Sequence, residues 1–185
     1  MSEFIISYFH GVTWVVVKNK SLDDEIMEQI QKYKSLLISV RADNINLLYD
    51  LMNKLPVELE NLYLEVNEER GKKIKDNLSI SMDMLPLNMK YLQIDISNFN
   101  ESLDNLPSSL KTLIIGSNNF NKTLNNLPPM LERLEINSGY TIPIENIPLT
   151  LKFLNISPYY PYLKDIKNKI PKIIFNNGEP RYNNI

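Results

Sequence analysis

Cysteine is absent from the 185 residues. Disulfide staples and thiolate chemistry are therefore excluded, and the composition fits a reducing compartment. Histidine is nearly absent: the one copy is His10. A metal site through it would need a cluster of further ligands, and no His/Cys cluster exists. A Ser-His-acid triad would also have to use it, and no nucleophile motif accompanies it. The five glycines are too few and too scattered for a Walker loop or a dinucleotide-binding loop. A formal net charge of -2 gives no basic footprint for nucleic acid or for an anionic membrane. No apolar run approaches the ~20 residues of a membrane-spanning helix. The carboxylate pairs Asp23-Asp24 and Glu68-Glu69 fall at a helix start and in a loop, where acidic residues are ordinary. These absences point away from an enzyme, a cofactor or a metal. The opening MSEFIISYFHGVTWVVV lacks a basic n-region, carries Glu3 and breaks at His10-Gly11, so it reads as folded structure rather than a secretory signal. A cytoplasmic location is the matching expectation.

What is present is asparagine, isoleucine and lysine in quantity, a composition that AT-rich codons produce. Asn-x-Ser/Thr triplets, among them those starting at Asn77, Asn100, Asn121 and Asn155, are expected by chance in so Asn-rich a chain. Residues 4–17 read as two strands joined at His10-Gly11, on aromatic and β-branched content. Ser21 with Asp24 resembles a capping box ahead of Leu22, Ile26, Ile30 and Tyr33 at helical spacing. Residues 36–40 (LLISV) form a strand, and a short helix from Asn44 follows through Leu47, Leu48, Leu51 and Met52. Residues 1–54 are thus an N-terminal hairpin-plus-helix cap grading into a first strand.

From Leu55 an internal repeat takes over. Leu55-Pro56, Leu85-Pro86, Leu106-Pro107, Leu127-Pro128 and Ile147-Pro148 lie 30, 21, 21 and 20 residues apart. Each proline is followed by an L-x-x-L-x-L-like pattern: Leu59, Leu62 and Leu64, then Met89, Leu92 and Ile94, then Leu110, Leu113 and Ile115, and so on through Leu151, Leu154 and Ile156. An aromatic recurs ahead of the next proline at Phe99, Phe120 and Tyr140. The pattern predicts a short strand per coil with alternate side chains inward. The proline corner has no N–H to satisfy and favours a turn or extended entry. One coil alone has nothing to bury its apolar residues against, so coils must stack into a parallel sheet with interior ladders. The wider 30-residue step holds an insertion over 67–84 whose charged tip reads as a loop. Beyond Ile156 the period fades. Residues 159–185 read as a C-terminal cap and tail, with a short helix through Leu163 and Ile166 and a last strand at Ile173-Ile174-Phe175.

The stretch LPSSLKTLIIGSNNFNKTL resembles an FNIP-type repeat, a leucine-rich-repeat relative. Residues 85–158 carry the likeness, with Phe99-Asn100 and Phe120-Asn121 as the motif pair and Tyr140-Thr141 departing from it. The resemblance implies an α/β repeat solenoid: a short-period leucine-rich-repeat arc with its parallel sheet on the concave side. It implies an amoebal or giant-virus source, with the host cytoplasm as the location if viral. Family members often carry an F-box ahead of the repeats and recognise substrates for a ubiquitin ligase; no F-box is visible in residues 1–54.

Function, on this reading, falls to the outward positions between the buried ones. One column runs Asn61, Tyr91, Thr112, Arg133, Phe153; the next runs Tyr63, Gln93, Ile114, Glu135, Asn155; a third runs Glu65, Asp95, Gly116, Asn137, Ser157. Tyr and Arg are enriched at binding hot spots, although cross-strand neighbours of this kind also stabilise a sheet. The expected partner-binding set is Tyr63, Tyr91, Gln93, Thr112, Ile114, Arg133, Glu135 and Phe153. The expected function is a protein-interaction module recruiting another protein, in one form a substrate-recognition adaptor. The alternative is a structural or self-associating protein, built through its sheet face or an unprotected end.

Overall fold

The computed structural model describes residues 4–9, 12–18, 28, 31–41, 45–67, 80–137 and 139–175. Nine strands follow one another in chain order across one open sheet. They are β1 (Phe4–Phe9), β2 (Val12–Lys18), β3 (Ser35–Arg41), β4 (Asn61–Asn67), β5 (Tyr91–Asp95), β6 (Thr112–Ile115), β7 (Arg133–Ile136), β8 (Phe153–Ile156) and β9 (Lys172–Phe175). The expected hairpin forms, with β1 antiparallel to β2; every later pairing, β2–β3 through β8–β9, is parallel. The predicted helix after β3 is α1 (Ile45–Met52), and its Leu47, Leu48, Leu51 and Met52 are buried. The capping box at Ser21, residues 68–79 with the charged tip of the insertion, and the tail 176–185 lie outside the described residues. So does most of the helix expected through Leu22, Ile26, Ile30 and Tyr33: Glu28 is helical, but residues 31 and 32 form a turn and Tyr33 lies beyond it, so the helix does not reach Tyr33.

The register aligns the leucines as the repeat requires. Leu36, Leu62, Leu92, Leu113, Leu134 and Leu154 stand side by side, as do Ile38, Leu64, Ile94, Ile115 and Ile136. All belong to one buried core. Each proline opens a tight turn whose carbonyl accepts from the N–H three residues on: Leu59, Met89, Leu110, Leu131 and Leu151 at 3.0–3.2 Å. The turn thus delivers its own apolar residue to the core. Hydroxyls tie one turn to the previous one. Ser109 donates to the carbonyls of Leu87 and Met89 at 2.6 and 2.7 Å, and Thr150 to those of Pro129 and Leu131, both at 2.8 Å.

The backs of the coils are filled by an aromatic ladder. Phe99, Phe120, Tyr140 and Tyr160 stack at 6.0, 5.8 and 6.0 Å with interplanar angles of 10–18°. Strands in the sheet lie only about 4.8 Å apart, so the back of the stack is more widely spaced than the front. The coils therefore fan, and the sheet takes the concave side. Buried hydroxyls need partners in this ladder. Tyr140 donates to the Lys122 carbonyl at 3.1 Å; Tyr160 donates to the Ile142 carbonyl at 2.9 Å and accepts from the Ile144 N–H at 3.1 Å. Burial pushes the Tyr160 phenol up to about 12.

Tyr160 and β9 carry the coil past residue 158, where the sequence period fades. Ile170, two residues before β9, occupies the place that Leu151 holds before β8, and it is buried. In this last coil α2 (Leu163–Ile166), a single turn, replaces the Leu-Pro corner and supplies buried Ile166. The ladder interior sets one testable outcome. Phe120→Ala should lower unfolding free energy by about 3–5 kcal/mol in urea titration, and Phe120→Tyr, which keeps a ring in the ladder, by less.

Candidate interaction surface

The sheet has a core face and an outer face, and the outer face is more covered than its sequence columns imply. Leu37, Tyr63 and Ile114 point outward and are nevertheless buried, apart from the main core. Ser35 and Ser39, outward on β3, are buried as well; Asn61 donates to the Ser35 hydroxyl at 2.9 Å and Asn67 to that of Ser39 at 2.7 Å. Cover thins toward the other end, where Arg133, Lys172 and Ile174 are exposed. Of the expected binding set, Tyr63, Ile114 and Glu135 are buried; Tyr91, Gln93, Thr112 and Phe153 are half-buried; Arg133 is exposed.

Two clusters organise this face. The first joins Tyr63, Tyr91 and Gln93 through a residue left out of the expected set, Asp95. Tyr63 and Gln93 both donate to Asp95 Oδ2 at 2.8 Å, and the Tyr91 hydroxyl donates to Gln93 Oε1. Burial, then the Asp95 charge, pushes the Tyr63 phenol well above its ordinary range, so it stays a donor. Gly116 makes room: a Cβ there would collide with the Asp95 carboxylate.

The second cluster is on β7–β9. Glu135 is only 2% exposed, an unusual setting for a carboxylate on an outward position. Arg133 neutralises it, with Nε and Nη2 at 2.6 and 2.5 Å from Oε1, while Asn155 donates to Oε2 at 3.2 Å. The Arg133 guanidinium also lies 4.0 Å from the Phe153 ring centroid, and Lys172 Nζ lies 5.6 Å from it. Phe153 therefore holds two cations, a geometry worth about 0.5–1 kcal/mol each when exposed. The Oδ1 of Asn155 is buried without a hydrogen-bond partner. Thr112 and Ile114, on β6, separate the clusters. Sequence reasoning missed Lys172 because its strand was assigned to the cap and never put in register with Phe153. Asp95 and Asn155 stood in the right columns, but their residue types drew no notice.

A charge ladder runs along the strand starts. Glu60 bridges Lys34 and Lys90 at 2.7 and 2.6 Å; Glu132 bridges Lys111 and Lys152 at 3.9 and 2.7 Å. Hydrogen bonds from the lysines hold the Glu60 and Glu132 carboxyls below their ordinary range, and the Glu60 hydrogen bond raises Lys34. Among the described residues no group of three or more His, Asp or Glu side chains is placed to hold a metal ion. No described helix is long and apolar enough to cross a membrane.

Among solved structures the chain is similar to the crystal structure of CroV588, a giant-virus protein described as a novel circular leucine-rich-repeat structure. The TM-score is 0.53. The fold is a leucine-rich-repeat arc. Sequence identity is 20%, and the match covers 87% of this chain but only 27% of CroV588, so the likeness is one of fold. No family model and no curated protein matches the chain.

Two outcomes test the electrostatics. Arg133→Ala should cost about 1–3 kcal/mol by leaving a buried carboxylate short of its partner, and adding Glu135→Gln should recover most of that in chemical denaturation. For the ladder, a lowered Glu pKa contributes stability above the ordinary value of 4.5, lost as pH falls through the lowered value. The raised Lys34 contributes below 10.5 and loses its share as pH rises through the raised value. Glu60→Gln should therefore lower the melting temperature slightly at neutral pH, and the difference should shrink as pH falls below 4.5 and through the lowered Glu60 value, where the carboxyl becomes neutral like the amide.

Proposed function

We propose that this chain is a protein-interaction module that presents the concave sheet face, and chiefly its β5–β9 half, to another protein. The observation that carries the reading is the Arg133–Phe153–Lys172 arrangement: a half-buried ring with two cations against it, backed by a buried, neutralised carboxylate. The side chains are held in place before any partner arrives, which reduces the entropy lost on binding. Tyr91, Gln93 and Thr112 extend the surface toward β5, while Tyr63, Ile114 and Glu135 act from beneath as its support. Rigid, pre-positioned aromatic and arginine groups are the kind that dominate binding energy. FNIP-like coils, a giant-virus source and a substrate-recognition adaptor role are the finer form of this reading. The likeness in fold to CroV588 and the regular 20–21-residue coils support it.

A second reading is self-association, favoured by the sheet's two outermost strands, β1 and β9, each paired on one side only among the described residues. Capture on the immobilised chain, from extract of the cells that make it, separates the two. The paired variant Arg133→Gln/Glu135→Gln keeps the buried site neutral and removes the cation. With Phe153→Leu added, it should lose a retained protein at near-unchanged melting temperature. Leu87→Ser, on an exposed turn tip away from the sheet face, should retain it. Equal retention by all three proteins would refute the sheet-face reading, and recovery of the chain alone would favour self-association.

A further inference from the structure

The terminal strand β9 has features that no part of the arrangement above explains. Lys172 donates its N–H to the Lys152 carbonyl at 3.2 Å, so Lys172 and Ile174 face β8. In a parallel ladder the alternate residues, Ile173 and Phe175, turn their N–H and C=O groups to the other side. Among the described residues nothing pairs there. Phe175, on the core side of the sheet, is 47% exposed, and Ile174, on the outer side, 39%. An edge with open backbone groups and apolar side chains on both faces is a template for another strand.

The charge around it selects the strand. Residues 151–175 contain five lysines and one aspartate, a net +4, in a chain of net -2, so the remainder carries -6. Lys172 has no acidic partner among the described residues and leans on Phe153. Elsewhere this sheet meets a lysine with a glutamate from the next coil, as at Lys34–Glu60 and Lys111–Glu132. A second copy of the chain is a poor fit. Two copies meeting β9 to β9 would bring two 151–175 segments of +4 together, and β1, FIISYF, has no acid to set beside Lys172.

We propose that the free edge of β9 docks an extended segment of a partner protein with alternating acidic and apolar side chains, added to the sheet as a further parallel or antiparallel strand. Its acids would lie beside Lys172 on the outer face and its apolar residues over Ile173 and Phe175. The proposal rests on the interaction-module reading and names the chemistry of its partner.

Fluorescence anisotropy of the full chain with a short labelled peptide of alternating Glu and Val tests it, with a Lys/Val peptide as control. The Glu/Val peptide should bind and the Lys/Val peptide should not. Phe175→Pro removes an edge N–H without touching the β8 side and should weaken binding about tenfold beyond Phe175→Ala. Lys172→Glu should reverse the preference at unchanged melting temperature. Absence of Glu/Val binding, including the case in which residues 176–185 already occupy the edge, overturns the proposal. So does equal binding of both peptides, or a dimer that Phe175→Pro dissolves. If Phe175→Pro leaves capture of a cellular partner intact while the Arg133→Gln/Glu135→Gln/Phe153→Leu variant abolishes it, the edge proposal fails and the interaction-module reading stands.

Discussion

Burial of each coil's inward leucines against the coils on either side is the constraint on which everything else depends. A coil of 20–21 residues cannot enclose a core by itself. Leu113 has its apolar surface covered only because Leu92 and Leu134 lie in register with it. That requirement fixes the parallel register, and the register in turn aligns every other position of the coil. The proline turns, the aromatic ladder and the charge ladder are consequences of one alignment repeated.

Alignment also explains why a polar, Asn-rich chain forms so regular a body. Asn105 donates to Asp83 at 2.8 Å, Asn126 to Asp104 at 3.0 Å, and Asn119 to Asn98 at 2.9 Å, each joining a turn to its equivalent one coil back. Short carboxamides satisfy turn backbones and each other at little entropic loss. The asparagines that codon usage explains in composition therefore have a structural use at particular coil positions. The same fanning of coils that opens the back brings the outer-face side chains together, and this packs Tyr63, Asp95 and Gln93 into one hydrogen-bonded group.

The proposed contact residues are concentrated where the repeat's regularity weakens. Glu135 is a charge placed where a neutral residue would serve the sheet equally well, and it needs Arg133 to sit there. That pair orients the guanidinium over Phe153. The last coil exchanges its Leu-Pro corner for α2, and it also gathers the excess lysines and ends on a strand that, among the described residues, is paired on one side only.

The prolines, the leucines and the Phe99–Phe120–Tyr140 spacing by themselves determined the stacked coils, the parallel sheet and the identity of the core, because each of these follows from periodic burial, and a period can be read along a chain. The hairpin, α1 and the last strand were legible from local pattern. The outer face was legible only as columns. Which of its residues are buried, that Asp95 rather than a tyrosine is the hub of one cluster, that Lys172 belongs with Arg133, and that Tyr160 continues the ladder were decided by tertiary structure alone. Those facts depend on side-chain directions and on contacts between coils whose spacing drifts from 21 residues, and no single segment of the chain contains that information.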